Sequence, residues 1–217
     1  MKKIRTIQAA IAVAIFGAGG ARADTPTLPS DTLSRLYVGV GAGNSSVYSK
    51  FTTFIAQAQP GNETPGSKAI AGRVFAGYTV NHHIALELGF MQTREISAAG
   101  SGTHNGADYT AELAQRINGF DYSVLLRPSA TGWLHNLFGR VGGTRLTTTN
   151  TITATANGQT QEIAQRTQGN GWVTGLGYDY PATRNFALRG ELAYYGAISG
   201  KSDAQAVWLG LSLIGKF

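Results

Sequence analysis

From Val207 to the end, apolar and small or polar positions alternate without a break. Val207, Leu209, Leu211, Leu213, Gly215 and Phe217 fall on one side, and Trp208, Gly210, Ser212, Ile214 and Lys216 on the other. A period of two with a single greasy face predicts a β-strand that separates two different environments. In a soluble sandwich that face meets a second sheet. In a membrane barrel it meets lipid, and about 9–11 residues are enough to cross. The same alternation recurs upstream. Phe186, Leu188, Leu192 and Tyr194 oppose Arg189, Glu191 and Tyr195; Ile84, Leu86, Leu88 and Phe90 oppose Ala85, Glu87, Gly89 and Met91; Phe120, Tyr122, Val124 and Leu126 oppose Asp121, Ser123, Leu125 and Arg127.

Extended along the chain, the pattern predicts eight strands near 36–47, 69–80, 84–95, 119–127, 137–148, 171–180, 186–196 and 204–217. Before Phe120 the fourth strand loses phase at 115–118, which predicts a bulge there or an earlier loop start. The segments 48–68, 96–118, 149–170 and 197–203 read as longer polar loops, and 81–83, 128–136 and 181–185 as short turns. Long and short connections alternate throughout. That is the arrangement of an antiparallel up-and-down transmembrane barrel with tight periplasmic turns and longer external loops.

The N-terminus predicts export. Lys2, Lys3 and Arg5 precede an apolar run from Ala9 to Ala21, and Ala21-Arg22-Ala23 has the small-x-small form of a cleavage site. These features predict a signal peptide over 1–23, a periplasmic leader over 24–34 and one barrel domain over 35–217. Beyond the signal no run approaches the ~18 apolar residues of a membrane helix. No linker follows the last strand, so no peptidoglycan-binding extension is expected.

The signal also changes the meaning of the charge. The full chain has 18 basic and 12 acidic residues, a net of +6. Four of the basic ones, Lys2, Lys3, Arg5 and Arg22, precede the cleavage point, leaving 14 against 12, or +2. That balance does not favour nucleic acid. The absence of cysteine excludes a disulfide scaffold. Charged residues are only 14% and 29 residues are glycine, yet mean hydropathy is close to zero. Apolar residues spread thinly over one face of every strand account for that combination.

On these segments the chain resembles the small outer-membrane β-barrel family that includes opacity adhesins, OmpX/Ail-type proteins and OmpA-type barrels. Tyr37-Val-Gly-Val-Gly-Ala-Gly43 is similar to the opening strand. Arg73-Val-Phe-Ala-Gly-Tyr78 with Leu86-Glu-Leu-Gly-Phe90 is similar to the next two. Gly175-Leu-Gly-Tyr-Asp-Tyr180 with Leu188-Arg-Gly-Glu-Leu-Ala-Tyr194 is similar to the sixth and seventh, and the closing strand ends in Phe217, like the terminal aromatic assembly signal of such barrels. The resemblance implies an all-β, eight-stranded barrel in the bacterial outer membrane, in contact with lipid and lipopolysaccharide and inserted by the barrel-assembly machinery through its C-terminus. It does not single out one function.

By phase, Arg73, Glu87, Asp121, Arg127, Arg140, Asp179, Arg189 and Glu191 point into the lumen, four of each sign. Eight strands enclose a space that side chains nearly fill, so these ions are expected to pair as a structural network; the functional alternative is an ion path or gate. Arg189 and Glu191, two apart on one strand, are expected to compensate each other. Gly39, Gly41 and Gly43 lack the spacing of a phosphate loop and read as small residues on a crowded inner face. Tyr78, Phe90, Trp172, Tyr178, Tyr180, Phe186 and Tyr194 read as a membrane aromatic belt, with Phe217 at the periplasmic level.

The histidines are His82, His83, His104 and His135; the adjacent pair sits in a tight turn where neighbouring side chains diverge, with no carboxylate close in sequence. Within this family, enzymes such as lipid A deacylases use a late His and Ser, and no His follows His135. No catalytic residue, metal site or cofactor is therefore expected. The reading is a monomeric barrel with a structural or surface-interaction role, in adhesion or envelope integrity, whose polar external segments such as 147–158 meet a host or cell-surface ligand. The alternatives are a narrow channel for small solutes or ions and, last, a lipid A-modifying enzyme.

Overall fold

A computed structural model describes residues 35–48, 68–104, 107–128, 133–156 and 159–217. The expected signal peptide, the leader and most of the first external loop lie outside the described residues. Nine strand segments follow in chain order: β1 (Leu36–Tyr48), β2 (Lys68–Thr79), β3 (Ile84–Thr93), β4 (Ile96–His104), β5 (Ala107–Leu126), β6 (Leu137–Ala156), β7 (Gln159–Pro181), β8 (Phe186–Gly196) and β9 (Gln205–Lys216). Every pairing is antiparallel, and β1 pairs with β9 from Tyr37↔Lys216 to Tyr48↔Gln205. β3 and β4 are two halves of one strand, because both lie along β5: Ile84↔Leu126 to Gln92↔Asn118, then Ile96↔Gln115 to His104↔Ala107. The sheet is therefore a closed ring of eight strands, with no free edge through the membrane.

The irregularity expected at 115–118 lies on the neighbouring strand instead. β5 keeps an unbroken register with β6 from Tyr109↔Ala156 to Leu126↔Gly139. The extra residue is between β3 and β4, where Arg94 and Glu95 share the place opposite Arg116. Thr93 bridges the gap: its Oγ1 accepts from the Ile117 N–H (3.0 Å) and donates to the Ile117 carbonyl (3.3 Å). The apparent loss of phase in β5 is chemical. Gln115 and Ile117 still point inward and are buried, but the outward positions turn from Phe120 to Asn118 and Arg116. The strand has left the lipid.

Two of the expected loops are strands. Segment 96–118 is filled by β4 and the first half of β5, and segment 149–170 by the ends of β6 and β7, paired as far as Ala156↔Gln159. Thr147, Thr148, Thr149, Thr151, Thr153 and Thr155 are β-branched and suit a pleated sheet. Water on both faces removes the apolar alternation that marks strands in the membrane. The 197–203 connection is a loop, with a 3-10 turn over Ile198–Gly200 and both Ala197 and Ser199 in the left-handed region.

The greasy faces point away from the ring, uncovered by any second sheet. Val40, Val74, Leu88, Leu176, Leu192, Leu209 and Leu211 are all exposed, Leu211 at 71%. A continuous apolar belt of this extent is a lipid-facing surface. Inside, space is scarce. A Cβ on Gly39 would fall within the Phe75 ring, and one on Gly77 within the Tyr37 ring.

Candidate functional site

Six of the inward charges stand between apolar neighbours on their own strands, which fixes their height in the lumen. Arg73 lies between Ala71 and Phe75, Glu87 between Ala85 and Met91, Asp121 between Ile117 and Leu125, and Arg140 between Phe138 and Leu146. Arg189 and Glu191 lie between Ala187 and Ala193. The lower members of these pairs belong to one buried cluster, with Tyr37, Phe75, Phe138 and Ile214, on the side of the short turns. The upper members belong to another, with Val47, Ile198, Tyr195 and Trp208, on the side of the long hairpins. The ions form a layer between two apolar layers.

Within that layer the partners are specific. Asp121 accepts from Arg73 through Nε (3.1 Å) and Nη2 (2.8 Å), and from Arg140 through a short Nη2 contact. Arg73 Nη2 also donates to Glu87 Oε1 at 2.6 Å. Arg140 Nη1 donates to Glu191 Oε1 at 2.5 Å, and its Nε donates to Ser123 Oγ at 3.0 Å. Arg189 donates to Glu87 Oε2 (2.6 Å) and holds Asp179 with two bonds of 2.7 and 3.1 Å. Arg127 Nη2 reaches Asp179 Oδ2 at 2.9 Å. The structure thus joins all eight inward charges in one chain of contacts. The side chains of Arg73, Glu87, Asp121, Arg140, Arg189 and Glu191 are at most 1% exposed; Arg127 and Asp179, at 11% and 8%, end the chain at the rim beside the short turns.

One expected pairing is corrected. Glu191 does not compensate Arg189; it pairs with Arg140, and its Oε2 lies 3.7 Å from Arg73 Nη1. Both side chains enter the same space, but the barrel's stagger presents each to a different neighbour. Sequence reading also left out the aromatic members. Tyr37 donates its hydroxyl to Glu87 Oε2 at 3.2 Å. The Arg73 guanidinium sits 4.6 Å from the Phe75 ring centroid, and that of Arg189 sits 4.5 Å from Phe138 and 5.1 Å from Phe75. These rings supply cation–π attraction to ions that water does not reach. Their inward parity, shared with the charges, was the available signal.

Separate cavities open at the two ends. The one on the side of the long hairpins, about 320 Å³, is lined by Val47, Gln115, Ile117, Asn150, Ile198 and Lys201 among others. The one on the side of the short turns, about 210 Å³, is lined by Tyr37, His82, Arg127, Asp179, Arg189 and Lys216 among others. They share no lining residue.

The seven aromatics read as a belt stand outward on their strands. Phe90 packs edge-on with Phe120 (centroids 5.2 Å apart) and Trp172 lies tilted on Tyr194 (5.2 Å), both away from the short turns. Tyr180, Phe186 and Phe217 are exposed beside the short turns, and Tyr78 and Tyr178 are half-buried. Phe120 and Tyr122 are further outward aromatics, 56% and 59% exposed. Of the histidines, His82 and His83 lie exposed in the β2–β3 turn, where His83 Nδ1 is 3.1 Å from the Arg127 carbonyl. Among the described residues no three of His, Cys, Asp and Glu gather as metal ligands.

The family model of the OmpA-like transmembrane domain matches residues 31–212. In fold the chain is similar to Ail, the attachment invasion locus protein of Yersinia pestis, at 11% identity over 85% of this chain and 99% of that one, with a TM-score of 0.49. It is similar to Neisserial surface protein A at 17% identity over 84% and 97%, with a TM-score of 0.41. The N-terminal β-barrel domain of Pseudomonas aeruginosa OprF matches at 15% identity over 83% and 97%, with a TM-score of 0.36. No curated protein matches the chain.

Proposed function

The chain belongs to the OmpA-like transmembrane domain family, and from that premise we propose that it is a sealed structural barrel whose external hairpins mediate surface interaction, in adhesion or envelope integrity. The observation that carries this reading is the ion layer, covered toward the long hairpins by apolar side chains, reaching the short-turn rim only through the paired Arg189, Asp179 and Arg127, and flanked by two cavities with no common wall. An ion crossing it would have to break several charge-assisted bonds at once, each worth about 1.5–3 kcal/mol. With transport opposed in this way, the hairpins are where the chain meets other molecules. In this reading the segment 1–23 directs export, Phe217 engages the assembly machinery, and the barrel works as a monomer without cofactor or catalysis, among outer-membrane lipids and lipopolysaccharide.

A narrow channel is the second reading, and one observation favours it. Arg73 Nη1, Glu191 Oε2 and the hydroxyls of Ser45, Ser212 and Tyr195 are buried without a hydrogen-bond partner, so the lumen has spare polar capacity. Planar-bilayer recording of the purified protein separates the two. The sealed barrel gives no steady conductance, and a deletion strain loses adhesion, serum survival or detergent tolerance. Steady ion-selective conductance together with an unchanged deletion strain refutes the first reading. Altered lipid A mass on overexpression would indicate an enzyme instead.

A further inference from the structure

Outside the lumen, the strands that rise beyond the membrane carry a basic groove. Arg116, Thr149 and Arg166 occupy one register row across β5, β6 and β7 (Arg116↔Thr149, Thr149↔Arg166). All three stand on the outward parity, in line with exposed Phe120 and Trp172 below. With Glu95, Ala114, Asn118 and Thr151 they line a groove of about 270 Å³. Neither guanidinium has an ion-pair partner among the described residues. Two cations flanking one strand, about 9.6 Å apart at the backbone, repel each other unless something anionic lies between them. Glu95 is the one acid in the lining, and it leaves the groove positive.

Height identifies the anion. The row of Phe90 and Phe120 marks the outer end of the aromatic belt. Arg116 is four residues beyond Phe120, about 13 Å along the strand and so about 10 Å above that row at a tilt near 40°. Headgroups of ordinary phospholipids extend only about 5–7 Å past the hydrocarbon. A phosphate carried on a saccharide headgroup reaches further.

We propose that Arg116 and Arg166 clamp a phosphate of a phosphorylated glycolipid, the lipopolysaccharide of the outer leaflet, lying over Thr149. Each planar guanidinium presents paired donors that match phosphate oxygens, and the Thr149 and Thr151 hydroxyls can donate to the same group. This deepens the surface-interaction reading and rests on the hairpins facing the cell exterior.

The test titrates the purified full chain in detergent with rough-type lipopolysaccharide, the same lipid after enzymatic dephosphorylation, phosphatidylglycerol and inorganic phosphate. The phosphorylated form binds at least tenfold more tightly than the dephosphorylated one. The double variant Arg116→Gln/Arg166→Gln loses that preference while keeping its heat-modifiable band, and Lys201→Gln keeps the preference. A preference that survives the double variant overturns the proposal, as does equal binding of both lipids. Phosphatidylglycerol or inorganic phosphate competing equally well overturns the choice of glycolipid. A tag at 157–158 reached only after permeabilisation refutes instead the orientation on which the site rests.

Discussion

Removing Asp121 is the sharpest test of the ion layer. Its carboxylate takes three bonds from two guanidiniums, and its side chain has no measurable exposure. After Asp121→Ala, Arg73 keeps Glu87 at 2.6 Å and Arg140 keeps Glu191 at 2.5 Å. Among the fully buried members, three cations then face two anions. Breaking a buried pair by deleting one partner costs about 3–5 kcal/mol. The comparison is Leu211→Ala on the lipid face, which removes about three carbons from an apolar environment. At roughly 0.8 kcal/mol each, that is about 2 kcal/mol, with no cavity term because acyl chains refill the space. Urea unfolding in lipid vesicles, followed by circular dichroism and by the fluorescence of buried Trp208, measures both. Asp121→Ala is expected to lose more stability than Leu211→Ala. Adding Arg140→Met to Asp121→Ala restores charge balance and should recover about half of the loss or more. If Asp121→Ala costs less than Leu211→Ala, water reaches the layer and the sealed-lumen argument fails. If the second substitution recovers nothing, lost volume rather than unpaired charge is the cause.

Deleting Phe217 should lower the yield of folded, heat-modifiable barrel in the outer membrane; an unchanged yield would show that the terminal aromatic is dispensable for assembly. Epitope tags at 157–158 should be reachable on intact cells and tags at 182–185 only after permeabilisation, and antibody labelling of whole and lysed cells decides this. Gly39→Val should abolish folding because its Cβ would fall within the Phe75 ring, and Phe75→Ala in the same chain should restore some of the band shift on gels. A Gly39→Val barrel of full stability would mean that the inner face is not crowded.

The parts of this molecule that touch lipid were the most legible in its sequence. In β8, residues 186–196, and in β9, residues 205–216, alternation alone places the ends within a residue or two, because one face must be greasy and the other cannot be. The eight inward charges follow from the same parity. Which cation meets which anion does not follow. Arg189 bonds Glu87, 102 residues away, and leaves Glu191 to Arg140; ring closure and strand stagger decide such pairs, and neither is written in a local pattern. The outer halves of β5, β6 and β7 carry the signature of loops because water on both sides imposes no alternation. The Arg116–Arg166 row was hidden for the same reason, since its members are neighbours only once those segments pair.

The distribution of polarity also bears on where function resides. In a soluble protein the apolar interior supplies the stability and the surface is free to vary. Here the apolar surface is given to lipid, and the interior holds buried ions whose desolvation costs several kcal/mol each before pairing offsets it. Such a layer adds little net stability, but it penalises any slip of the strands, because a shift of one residue turns every inward charge toward lipid. The layer therefore acts as a register lock. A barrel locked in this way is a rigid base. From it β6 and β7 continue past the last β7–β8 pair, Trp172↔Gly196, to Gln159, on the order of 40 Å of sheet beyond the ring. That extension contributes nothing to crossing the membrane. Its strands are held by a base whose sequence is constrained by lipid and by charge pairing, so the hairpins can vary in sequence without disturbing the fold beneath them.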